Sequence, residues 1–164
     1  MDRRWWLAGM LCAGAWPAVA GGLVGSIVPP YPDGLVPTTG TCISASDRYE
    51  HVCAYGIGVL ADAALVPRLV HADKAAWIDA DGKAHALVIA TLPYPAVPEG
   101  FHLAIGTCRR DGVDDRWLLA VVDARGDGQY WSGARWAARL DPVDNTLRAQ
   151  SPAGVECLNE AAGL

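Results

Sequence analysis

Four cysteines, Cys42, Cys53, Cys108 and Cys157, follow a segment with the layout of a secretory leader, and this constrains the fold more than any other feature of the chain. An even cysteine count after export reads as two disulfides, because thiols oxidise outside the reducing cytosol. The gaps between them are 11, 55 and 49 residues. Zinc sites use close C-x₂₋₄-C pairs, which these gaps do not provide. A catalytic thiol, with His51, His71, His85 or His102 as base, is the other alternative, and export with an even count weighs against it. Four cysteines allow three pairings. Cys42–Cys53 closes the shortest loop and so loses least chain entropy. That pairing leaves Cys108–Cys157, which would pin the C-terminal segment to the middle of the chain.

The leader reading rests on residues 1–20. Arg3 and Arg4 supply positive charge, Trp5 to Trp16 form an uncharged apolar stretch, Pro17 ends it, and Ala18-Val19-Ala20 offers small residues for cleavage before Gly21. The apolar stretch is too short for a spanning helix, which needs about 20 residues, so no membrane span is expected after leader removal. Cys12 is a poor lipidation site, because Gly9 stands where lipidation favours Leu. The chain is therefore expected to be exported, to the periplasm or beyond the cell.

Charge narrows the partners. The 164 residues carry a formal net charge of −5, from 13 Lys+Arg and 18 Asp+Glu. Nucleic-acid binding needs clustered cations against phosphate, and a polybasic grip on anionic lipid needs the same. Neither fits. A hydrophobic content of 52% excludes a disordered, charge-rich tail. The expected partner is a protein or a small envelope ligand.

Turn chemistry and apolar periodicity predict a mostly β fold, with α+β as the alternative: a small disulfide-linked antiparallel domain built from hairpins. Residues 21–41 are rich in Gly and Pro and read as an extended N-terminal arm. Residues 42–164 read as a single β-rich domain. Its short apolar runs, 85–92, 101–107 and 116–123, predict buried strands, and 134–140 alternates with period two. Asp-Gly occurs at 33–34, 81–82, 111–112 and 127–128, and this pair favours tight hairpin turns. A helix is credible only over 59–66, VLADAALV, before Pro67. Pro30-Tyr31-Pro32…Gly40-Thr41-Cys42 is echoed by Pro93-Tyr94-Pro95…Gly106-Thr107-Cys108, at offsets of 63 and 66 residues. The echo is compatible with two related halves or with chance in an Ala/Gly/Pro-rich chain.

No motif for nucleophilic, metal-dependent or nucleotide-dependent catalysis is present, so no catalytic residue, metal or cofactor is assigned. Gly56-Ile57-Gly58 reads as packing or a bulge. Asp79-x-Asp81-Gly82 matches part of a calcium loop but lacks its later ligands, and a hairpin turn explains it better. His71-x-Asp73 could set a base beside a carboxylate, but a strand end with a polar turn accounts for it better. The densest charge cluster, Arg109-Arg110-Asp111-x-x-Asp114-Asp115-Arg116, reads as a solvated loop with mutual salt bridges. Trp77, Trp117 and Trp136 are expected in the core. Tyr94, between two prolines, and Trp131, after an Asp-Gly turn, are the aromatic binding candidates. Arg109, Asp114 and Asp115 are candidates for orienting a partner. The expected function is a non-enzymatic exported interaction or binding protein of inhibitor, immunity or ligand-binding type. The alternative is a small exported hydrolase using Asp/His chemistry, which would bring His71 or His102 within hydrogen-bond reach of a carboxylate in a pocket.

Overall fold

The run Leu118 to Val122 is fully buried at every residue, and the architecture follows from that. An antiparallel strand with one solvated face alternates apolar and polar residues; a continuous apolar run needs cover on both faces. The computed structural model, which describes residues 22–32, 34–46, 48 and 52–162, supplies that cover as three antiparallel sheets.

The strands in chain order are β1 (Ile27–Val28), β2 (Val36–Ile43), β3 (Tyr55–Ala61), β4 (Pro67–Ile78), β5 (Ala84–Pro93), β6 (Phe101–Ile105), β7 (Cys108–Arg110), β8 (Val113–Asp114), β9 (Leu118–Asp123), β10 (Tyr130–Trp131), β11 (Trp136–Asp141), β12 (Thr146–Gln150) and β13 (Val155–Leu158). The first sheet runs β1-β5-β4-β3-β2, the central sheet β12-β11-β9-β6, and the third β10-β13-β7-β8. Leu119, Ala138 and Leu140 of the central sheet pack against Ile57, Val70 and Ala72 of the first. From the opposite face, Leu118, Ala120, Val122 and Ala137 pack against Cys108, Val155 and Cys157 of the third. Burying a Leu or Val side chain contributes about 1.5–3 kcal/mol, so the central sheet, buried on both faces, concentrates the apolar driving force.

Both disulfides form with the expected pairing, Cys42–Cys53 and Cys108–Cys157. Cys157 and Cys108 are direct cross-strand partners of β13 and β7. Structural disulfides of this kind place the chain in an oxidising compartment. Residues 1–20, read above as a leader, and the expected cleavage position, Ala20–Gly21, lie outside the described residues, as does His51. Among the described residues no helix is long and apolar enough to cross a membrane.

The mostly β reading holds, and the α+β alternative does not: no helix occurs among the described residues. The run 59–66 is the end of β3 and a turn rather than a helix. Asp62 causes the turn. Its Oδ1 accepts from the amides of Ala64 and Val66, at 2.9 and 3.0 Å. Side-chain capping of this kind offers the backbone an alternative to helix, and Pro67 then starts β4. β1 lies within the Gly/Pro-rich residues 21–41 and β2 begins there and runs on to Ile43, so part of that segment pairs in the first sheet. Trp117 and Trp136 pack against the core as expected, but Trp77 is 51% exposed and stacks on His85.

Candidate functional site

The first sheet has an inner face against the core and an outer face that the N-terminal segment covers only in part. Leu23 and Val28, with Tyr31 and Leu35 beside them, pack on Leu60, Leu69 and Val88 at one end of that outer face. The rest is an open groove of about 540 Å³, running across β2, β3, β4 and β5.

Strand register builds its floor. Gly40 of β2 pairs with Gly58 of β3, which pairs with His71 of β4. In the adjoining row, Cys42 pairs with Gly56, which pairs with Asp73. His71 and Asp73 lie two apart on one strand, so both project to the outer face. The glycines are needed for space. A Cβ on Gly58 would sit 2.9 Å from His71 Cε1, and one on Gly56 would sit 2.6 Å from Asp73 Oδ1.

The polar centre is a histidine–carboxylate pair. His71 Nε2 stands 3.2 Å from Asp73 Oδ2, with His71 only 4% exposed. His71 Nδ1 is buried and finds no hydrogen-bond partner among the described residues. Buried polar atoms are nearly always paired, so an orphan nitrogen is a feature that needs a reason. Tyr31 meets the His71 ring edge-on at 6.0 Å between centroids. Burial, and then the charge of Asp73, raise the Tyr31 phenol above its ordinary value. At the far end of the groove, His85 stands 3.0 Å from both the Pro29 carbonyl oxygen and Asp79 Oδ2. That contact, with the amides of Lys83 and Asp81, holds the Asp79 carboxyl below its ordinary value. Asp79 is thereby committed to the β4–β5 turn. No group of three or more His, Cys, Asp or Glu side chains with metal-ligand geometry occurs among the described residues.

His71-x-Asp73 is therefore not a strand end with a polar turn. β4 continues through Ile78, which leaves the pair in mid-strand.

The other candidates lie apart from this groove. Tyr94, just beyond β5, packs partly on the core, and its amide donates to the Arg68 carbonyl at 2.9 Å. Its hydroxyl is raised by burial. Trp131 sits on β10 rather than on a loop, and its Nε1 donates to the Gly126 carbonyl at 2.9 Å. Tyr94 and Trp131 border two smaller clefts that share His102, Ala104, Thr107 and Glu160 along the free edge of β6. Arg109 donates from Nε and Nη2 to Glu156 Oε2, at 3.0 and 2.7 Å, and its guanidinium lies 3.4 Å over the Tyr130 ring. Asp115 accepts from Arg139 Nε at 2.7 Å and from the Trp117 amide at 3.0 Å. Asp114 is exposed on β8, opposite Arg109. The charge cluster thus pairs outward, to Glu156 and Arg139, and does not converge on one point.

The glycine floor was missed from sequence. Gly56-x-Gly58 is visible, but its partners Gly40, His71 and Asp73 become neighbours only through strand pairing. No family model, curated protein or solved structure matches the chain.

Proposed function

We propose that this chain is an exported, non-enzymatic binding protein that holds a small ligand in the glycine-floored groove of its first sheet. The leader-like segment 1–20 and the two disulfides support export, to the periplasm or beyond the cell. The observation that carries the reading is the groove itself. A mostly apolar concavity with a few placed polar groups is the usual form of a ligand site, and here three glycines open the sheet face beneath His71 and Asp73. The pairing of Arg109 and Asp115 within the protein leaves them little to offer a partner.

The hydrolase reading draws support from the 3.2 Å His71–Asp73 contact. A general base, however, must reach the proton it takes. In His71 one nitrogen faces Asp73 and the other is enclosed. The contact therefore serves better to fix the carboxylate than to abstract a proton. A ligand-observed NMR screen of a small fragment library separates the readings. Binding that disappears in Ala75→Trp, which fills the groove from an exposed lining position, supports the binding protein. Turnover of ester or amide fragments that is lost in His71→Gln would replace it with the hydrolase.

A further inference from the structure

Asp73 is the sole carboxylate among the described residues lining the groove, and no Lys or Arg lines it. Its two oxygens are not equivalent. Oδ2 faces His71 Nε2, while Oδ1 rests over Gly56 and receives no hydrogen bond from any described residue. His85, the other histidine of the lining, is held by Asp79. Among the described residues the groove thus offers one carboxylate, whose Oδ2 is taken up by His71 and whose Oδ1 is left for a ligand. The Asp73 side chain is 18% exposed at the groove surface, within reach of a ligand.

We propose that the groove takes a monovalent organic ammonium, a protonated amine carried on an apolar body. The ammonium donates to Asp73 Oδ1, and the apolar body lies along Pro29 and the glycine floor. Two further observations support this class. The Tyr31 ring lines the same groove and meets His71 edge-on at 6.0 Å, and an aromatic face attracts a cation. The absent side chains at Gly56 and Gly58 let a head group approach the carboxylate along the sheet surface, where any Cβ would collide with Asp73 or His71. A single carboxylate selects a single charge; a polyamine would leave its remaining ammonium groups against apolar walls. His71 is a positioning residue, fixing the Asp73 rotamer through Oδ2.

This inference rests on the groove being a ligand site, and the test separates the two. Benzylammonium, benzyl alcohol and benzoate have nearly the same shape and differ in charge. Titrated into the full chain at one pH and low salt, with ¹⁵N amide shifts as the readout, benzylammonium should perturb Gly56 and Gly58 and bind more tightly than the other two. Asp73→Asn should weaken benzylammonium about ten-fold or more, the range of a charge-assisted hydrogen bond, while leaving benzyl alcohol unchanged. Thermal unfolding of Asp73→Asn checks that the fold survives. If it does not, Ala75→Trp, which leaves the His71–Asp73 pair in place, should abolish the same shifts. Equal binding of the alcohol, or tighter binding of benzoate, overturns the ammonium class but keeps the groove as a ligand site. No perturbation of the groove by any of the three overturns both.

Discussion

His71 and Gly58 are direct cross-strand partners, and the ring of one occupies the space that a side chain on the other would take: a Cβ at Gly58 would lie 2.9 Å from His71 Cε1. On its other flank the same Cβ would lie 3.0 Å from the Thr39 carbonyl oxygen of β2. Gly58 does not have a positive φ, so its role is spatial rather than conformational. The histidine, the floor beneath it and the neighbouring edge strand form one packed unit.

Gly58→Ala should therefore destabilise by about 1–3 kcal/mol, the usual effect of overpacking. It should also displace the His71 ring. Urea denaturation measures the first effect and His71 ring proton shifts the second. An unchanged midpoint with unchanged shifts would show that the sheet has room at Gly58.

The two disulfides should differ in weight. Closing a 49-residue loop is worth about 4 kcal/mol and an 11-residue loop about 3 kcal/mol in the chain-entropy account. Cys157 is also fully buried against the central sheet, whereas Cys42 lies on an exposed edge strand. Replacing Cys108 and Cys157 together by Ala should lower the denaturation midpoint more than replacing Cys42 and Cys53. The reverse order would mean that the third sheet is held chiefly by packing.

Acid should weaken the β9–β10 region through Asp123. Hydrogen bonds from the Arg125 side chain and amide, with the Arg125 charge, hold the Asp123 carboxyl at about 2, below its ordinary value. A carboxyl depressed in the folded state favours folding above its unfolded value, and that contribution is lost as the pH falls through the folded value. Tm should therefore fall between about pH 4 and pH 2, with a shallower fall in Asp123→Asn. Identical profiles would show that Arg125 gives Asp123 no net advantage in the folded state.

Trp131→Ala should cost about 2 kcal/mol, less than a fully enclosed tryptophan. The ring packs partly against the cluster around Cys108 and Cys157, and its Nε1 is hydrogen-bonded to Gly126. Chemical denaturation gives the value directly. A change near zero would free Trp131 to act as a contact residue.

The legible parts of this fold were those set by local chemistry. Leu118–Val122 stood out because burial on both faces demands a continuous apolar run, and loop entropy favoured Cys42–Cys53. Residues 59–66 misled because VLADAALV has good helix formers, while a single side chain, Asp62, supplies the turn. The candidate site was half legible. His71-x-Asp73 and Gly56-x-Gly58 were each visible, but neither meant much alone. Their joining depends on the β3–β4 register and on Gly40 arriving from β2, and register is a property of pairing between distant segments.

The central claim, that the outer face of the first sheet is a ligand groove, is tested most directly by mapping amide shifts of the ¹⁵N-labelled protein across a fragment library. The account predicts that binding fragments perturb Gly40, Gly56, Gly58, His71 and Asp73 together, and that these shifts vanish in Ala75→Trp. Perturbations clustered instead along β6, at His102, Ala104 and Thr107 between Tyr94 and Trp131, would contradict it and place binding at the free sheet edge.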